Sequence, residues 1–256
     1  MKFKKEEVIF AAVDKKYFRK YAAAWAWSIF ENNMHGHLHV IDPQKRDLNK
    51  LAKLSEVTKG KVLFSTGDIE SNFPKDRCYF ASFRFLYLNE LYGQYKKVLV
   101  TDIDSIFMKE IKFPDGDFGF FYRDPLDTED KWFKESSKIA AGIFFISLNK
   151  ENEKQFSSLF KSSLERLNAS NSWRWMVDQN ALFSVSENLA SDQSLRIYQF
   201  TNEDFSWDFD EISKIWTGKG ARKWKSKKYV REFKKYRRRY KIEGLKNYLK
   251  KFTLFY

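Results

Sequence analysis

Lys97-Val-Leu-Val-Thr-Asp102-Ile-Asp104 runs apolar for most of its length and then breaks into two carboxylates separated by one residue. Such a run is typical of a strand buried on both faces near the middle of a parallel sheet. Open parallel sheets put their ligand sites beyond the carboxyl ends of these strands, which is where the two aspartates stand. Carboxylates so spaced can jointly hold a hard divalent cation, manganese or magnesium, which prefers oxygen ligands and keeps positions open for phosphate. Aspartates at a strand end can equally just end the strand and cap the next helix.

Working outward, residues 8–13 form a short apolar run that reads as a first strand, and 21–30 an Ala-rich helix ending near Asn32 and Asn33. Residues 38–42 read as a second strand closed by Pro43, 48–59 as a helix stopped by Gly60, and 61–65 as a third strand. A helix over 81–91, ended by Gly93, leads into the central strand. Beyond it, 140–148 reads as another buried strand, and 151–167 and 173–183 as helices. The alternation predicts an α/β fold: one Rossmann-like domain over 1–221, with a mostly parallel central sheet flanked by helices, and a basic helical tail over 222–256.

Composition narrows the class. With 26 Phe, 13 Tyr and 8 Trp in 256 residues there is ample material for a core, and the single Cys78 excludes an intrachain disulfide. No stretch approaches the roughly 20 apolar residues that span a bilayer. Residues 1–5 have the charge of a leader, but the apolar run behind them is too short and ends in Asp14 and two lysines, so a cytosolic protein is expected. The net charge of +13 is local: residues 222–256 hold 15 Lys or Arg and only Glu232 and Glu243, leaving 32 basic and 32 acidic residues elsewhere. That is a neutral body with a cationic appendage.

Several ordered blocks resemble family 8 glycosyltransferases, the retaining, glycogenin-like and bacterial lipopolysaccharide-galactosyltransferase-like enzymes of GT-A fold. They are Ala11-Ala-Val-Asp14-Lys-Lys-Tyr17, then Tyr79-Phe-Ala-Ser-Phe-Arg84-Phe with the Asp102-Ile-Asp104 region, then Ala140-Ala-Gly142-Ile-Phe-Phe-Ile-Ser-Leu-Asn149, and Val177-Asp178-Gln179-Asn180-Ala-Leu182. The resemblance covers about residues 8 to 224. It implies transfer of a hexose, usually UDP-linked, from a nucleotide diphosphate sugar to a glycan or lipid-linked acceptor, as in surface polysaccharide biosynthesis. Asp102 and Asp104 would bind manganese or magnesium and, through it, the donor diphosphate. Arg84 would lie near the donor, Asp14 and Tyr17 near the base, and Asp178 and Gln179 at the sugar and its reacting carbon. The family's closing block, H-F-x-G-x-x-K-P-W, is altered: aligning Gly218 puts Ile215 where a third metal ligand, a histidine, is expected. Arg222 or Lys223 would then serve for the diphosphate-binding lysine.

His35, His37 and His39 alternate as strand residues on one face do, which suggests a metal site, but no Cys or fourth ligand lies nearby and a loop-to-strand junction is the plainer reading. In the tail, Tyr229, Phe233, Tyr236 and Tyr240 make one helical face, repeated by Leu245, Leu249, Phe252 and Tyr256. Such a helix can lie on an anionic membrane, here the inner face, or its stripe can pack on the body with the charges in solvent. No nucleic-acid module is present, so nucleic acid is not an expected partner. Two rival functions remain at this level. One is a haloacid-dehalogenase-like phosphatase, with Asp102 as nucleophile, Asp104 as acid/base and Asp204 or Asp208 as the later acidic motif. The other is a degenerate transferase body that only binds membranes or polyanions.

Overall fold

A computed structural model describes residues 6–68, 72–218 and 220–253, with side chains described to residue 247. The chain begins β1 (Glu7–Asp14), α1 (Lys15–Glu31), β2 (Gly36–Ile41), α2 (Lys45–Val57) and β3 (Val62–Thr66). It continues with α3 (Arg77–Leu86), α4 (Leu88–Leu91), β4 (Lys97–Thr101), β5 (Ile106–Phe107), β6 (Phe118–Tyr122), α5 (Lys131–Ser136) and β7 (Ile139–Ser147). It closes with α6 (Lys150–Ala169), α7 (Val177–Ala190), β8 (Ile197–Gln199), β9 (Phe205–Ser206), β10 (Ile215–Trp216) and α8 (Lys227–Thr253). Seven strands hydrogen-bond in the order β3-β2-β1-β4-β7-β6-β8, and β5-β10-β9 form a small second sheet. This is the expected α/β architecture, with a central sheet and flanking helices. The pairs β1/β4, β2/β3 and β6/β8 are parallel, whereas β7 runs antiparallel to both β4 and β6. β7 is the next strand after β6, with only the short α5 between them, and an antiparallel neighbour needs no crossover helix.

Two compact units divide the chain. The first draws on residues 6–12, 72–102 and 112–201. Its core is where much of the phenylalanine goes: Phe144 stacks on Phe156 at 4.6 Å, Phe156 on Phe160 at 5.6 Å, and Phe85 meets Phe160 at 5.0 Å. Ring pairs of this kind stabilise beyond their buried area by about 0.5–1.5 kcal/mol each. The helix expected over 81–91 is two, because α3 stops at Tyr87 and α4 restarts there. α3 also begins earlier, where the Asp76 carboxylate accepts from the Cys78 and Tyr79 N–H groups at 2.8 and 3.1 Å. The helix expected from residue 173 begins at Val177, since Met176 is left-handed with φ 73°. Asp178 and Gln179 therefore lie in its first turn.

The second unit draws on residues 13–68, 103–111, 202–218 and 220–253. In it α8 packs on α1 and α2. Tyr229, Phe233 and Tyr236 are buried, Tyr240 half-buried, and Arg231, Lys234, Arg237, Arg238 and Lys241 face solvent. Phe233 meets the Tyr21 ring at 5.8 Å and the Tyr236 hydroxyl donates to the Phe107 carbonyl at 3.2 Å. The first half of the stripe is thus spent on the protein's own core. α8 runs unbroken through Gly244, where a Cβ would come within 3.1 Å of Lys53 Cε on α2, so glycine permits the close crossing. Leu245 is exposed, and the side chains of Leu249, Phe252 and Tyr256 lie outside the described residues. Among the described residues no helix is long and apolar enough to cross a membrane.

His37 and His39 lie on β2, buried, with no metal-holding group of His, Cys, Asp or Glu among the described residues. Both contact the Ser65 hydroxyl on β3, at 2.7 and 2.8 Å, and His39 Nε2 lies 3.1 Å from the Gly67 carbonyl. One set of neutral tautomers satisfies all three contacts: His37 donates to Ser65, Ser65 to His39 Nδ1, and His39 Nε2–H to Gly67. Burial pushes each imidazole down to about 4, the Gly67 carbonyl and Asp68 opposing this at His39. Groups depressed in the folded state leave stability intact above the unfolded value, near 6.5, and remove it as pH falls toward about 4. Urea denaturation between pH 7 and 4.5 should show this loss, steepest at about 1.4 kcal/mol per pH unit per histidine. His39→Gln should flatten the slope.

Candidate functional site

The sequence-selected residues fall into two charge clusters, one in each unit. In the first, Arg84 on α3 is buried and spreads its guanidinium across three parts of the chain. Its Nη1 is 2.9 Å from Asp102 Oδ1, just past β4, and its Nη2 donates at 3.0 Å both to Asp178 Oδ2 on α7 and to the Ala141 carbonyl on β7. The Asp102 N–H extends the β4–β7 ladder, donating to the Gly142 carbonyl at 3.3 Å. One guanidinium thus serves two carboxylates. Burial pushes the Asp178 carboxyl up from its ordinary value, against the Arg84 charge and the Gln179 N–H that favour its anion. Gln179 is half-buried beside it. Arg84 Nε is buried with no hydrogen-bond partner among the described residues, an unusual state for a charged donor. Cys78 is no nucleophile here, since burial pushes its thiol up to about 11.

In the second unit, Asp104 takes the centre. Its Oδ2 accepts from the Lys223 ammonium, its Oδ1 from the Thr217 hydroxyl at 3.1 Å, and its backbone carbonyl from the Tyr229 hydroxyl at 2.7 Å. Ser105 extends the chain, donating to Thr217 at 3.1 Å. Asp104, Thr217, Lys223 and Tyr229 are all buried. The short 3₁₀ turn Gly220–Trp224 turns Lys223 inward and Arg222 out to solvent. Gly218 is needed because the lysine stem crosses it: a Cβ there would lie 2.1 Å from Lys223 Cδ. Asp14 caps α1, accepting from the N–H groups of Lys16 and Tyr17 at 2.6 and 3.1 Å. Tyr17 stays half exposed, its hydroxyl pushed up by burial, with Lys223 opposing and Tyr21, Asp104 and Asp14 adding to the rise. Asp14, Tyr21, Asp104 and Lys223 thus act on the Tyr17 phenol. Sequence reading missed Thr217, Tyr21 and Tyr229. The first two carry no motif signal, and Tyr229 is hidden in the helical stripe.

The donor atoms do not fit a resident divalent cation. Asp102 is paired with Arg84 and Asp104 with Lys223, and Ile215 is an apolar residue of β10 with 0% exposure. Among the described residues no group of three or more His, Cys, Asp or Glu could hold a metal.

No protein-family model and no curated protein matches the chain. Solved structures do. The galactosyltransferase LgtC, in complex with donor and acceptor sugar analogs, matches 90% of this chain and 95% of its own with a TM-score of 0.63 at 14% identity. The glycosyltransferase GlyE of Streptococcus pneumoniae TIGR4 matches 96% of the chain with a TM-score of 0.62 at 14% identity, and the bifunctional glycosyltransferase WbbM 92% with 0.62 at 13%. The fold is that of the GT-A glycosyltransferases. The chain spans 65% of GlyE and 50% of WbbM.

Within this fold the elements expected to carry the site do carry charge clusters. Of the later acidic residues that the phosphatase alternative would use, Asp204 is paired with Lys214 at 2.8 Å, and the Asp208 N–H donates to the Ser206 hydroxyl at 3.0 Å. Removing Arg84 should take from the buried Asp178 carboxylate the cation that pairs with it. Arg84→Met is expected to destabilise the protein by about 3 kcal/mol or more in urea denaturation. Adding Asp178→Asn to that variant should restore a measurable part of the loss.

Proposed function

We propose that the chain is a glycosyltransferase that moves a hexose from a nucleotide diphosphate sugar, UDP-linked, to a glycan or lipid-linked acceptor with retention of configuration. The observation that supports this most is the meeting of three separate resemblance blocks at Arg84, through Asp102, Ala141 and Asp178. In this reading the acceptor hydroxyl attacks the anomeric carbon, the bond to the diphosphate breaks, and the hydroxyl proton leaves with the phosphate. Positive charge builds at the sugar, where a buried carboxylate such as Asp178 stabilises it, and negative charge builds on the diphosphate, where cations do. Gln179 is too weak a nucleophile for a covalent intermediate, so it orients the sugar by hydrogen bonds. Asp14 and Tyr17 serve the base end of the donor.

Nucleoside diphosphate release from a panel of nucleotide sugars tests this. Release from one donor, falling a hundredfold or more in Asp178→Asn, is the expected result. No release and no donor-induced thermal stabilisation would sink the reading.

The outer face of α8 supports a second part of the proposal, docking on an anionic membrane surface that carries the acceptor. The first half of its apolar stripe is turned inward, so attraction along that half rests on cations, each contributing about 1 kcal/mol near such a surface. Truncating α8 would uncover α1. Charge reversal at Arg237, Arg238 and Lys241 is the informative change. It should abolish flotation with vesicles containing anionic phospholipid while leaving donor turnover in solution intact.

A further inference from the structure

The Asp104 cluster carries an inference that rests on the transferase reading above. We infer that Lys223 takes, at Asp104, the place the resemblance assigns to a divalent cation. The donor diphosphate is then met by a built-in ammonium, and transfer proceeds without metal.

Three observations within the second unit lead there. The ammonium sits on the Asp104 carboxylate, whose other oxygen accepts from Thr217, so each oxygen already carries a hydrogen bond. A metal approaching this carboxylate would meet a cation in contact with it. The lysine is also held in place. Its stem fills the space over Gly218, where a Cβ would come within 2.1 Å of Cδ and 2.5 Å of Cβ, and its Nζ lies 4.8 Å from the centre of the Tyr21 ring. Finally, the third ligand that could draw a metal in against this charge is replaced by the buried Ile215, paired in β10 with Phe107 of β5.

The chemistry asked of a metal here is neutralisation of charge on the departing diphosphate. An ammonium supplies one fixed positive charge and three N–H donors. Asp104 engages one of them, which leaves donors for a phosphate oxygen. Asp104 then becomes a positioning residue. It aims the ammonium and compensates its charge until the donor arrives. Thr217 and Gly218 fix that geometry, one by a hydrogen bond and the other by its missing side chain.

The test is titration calorimetry of the full chain with UDP, GDP and ADP, in chelator and in manganese, with free manganese followed by electron paramagnetic resonance. One nucleoside diphosphate should bind with affinity equal within about threefold in the two conditions, and the protein should leave the free manganese signal unchanged. In chelator, Lys223→Met should weaken that binding by tenfold or more, Lys223→Arg should recover part of it, and Gly218→Ala, which keeps both charges but evicts the stem, should weaken it too. Gly218→Ala guards against loss of fold in Lys223→Met. Tight manganese binding together with nucleoside diphosphate binding that vanishes in chelator would overturn the inference and leave the transferase reading standing. Wild-type affinity in both Lys223→Met and Gly218→Ala would overturn it as well. Binding of no nucleoside diphosphate in either condition would remove the transferase reading, and this inference with it.

Discussion

Strand β4 is apolar to its last residues, and immediately beyond it the chain places two carboxylates in or near the protein interior. A buried carboxylate without a partner costs several kcal/mol, so everything that brings Arg84 to Asp102 and Lys223 to Asp104 is tied to that one fact. Helix α3 is positioned by its Asp76 cap and its aromatic underside, and its Arg84 reaches the end of β4. The segment after β10 has to turn tightly so that Lys223 and not Arg222 points inward. The two demands shape different units of the chain, yet both start from residues 102 and 104.

The arrangement puts ordinary stabilising interactions and candidate chemistry on the same atoms. One arginine shared between two carboxylates leaves their negative charge under-compensated, and a charged donor left over at Nε is a poor way to gain stability. Buried ionic groups of this kind are often neutral or costly beside a packed apolar alternative. Their presence is easier to understand if a polar ligand completes them, which is the physical sense in which the cluster points to function.

Much of this was legible in the sequence, and the failures have physical causes. The apolar runs of β1, β4 and β7 announced buried strands, and the charged blocks pointed to the elements on which the two charge clusters are built. The direction of β7 was not legible, because a run of buried residues reads the same in either sense. Tyr87 splits a helix with no Gly or Pro to signal it, and Met176 adopts a left-handed backbone that composition does not foretell. The inward turn of Lys223 depends on one 3₁₀ turn, and neighbouring Arg and Lys offer no hint of which goes in. The tail was the sharpest ambiguity: a stripe at spacings of four, three and four suits a lipid surface and a protein core equally. Tertiary packing against Tyr21 and Phe107 resolved its first half.

That packing also bears on how the protein is made. Helix α8 covers apolar surface on α1, yet about 200 residues of chain separate Lys15 from Lys227. At roughly 5–20 residues per second, a ribosome leaves α1 without its cover for on the order of 10–40 s. During that time Tyr21 and its neighbours lack Phe233 and Tyr236, and the second unit cannot close. The first unit has no such wait beyond residue 201. The second unit is therefore completed only once α8 has been synthesised.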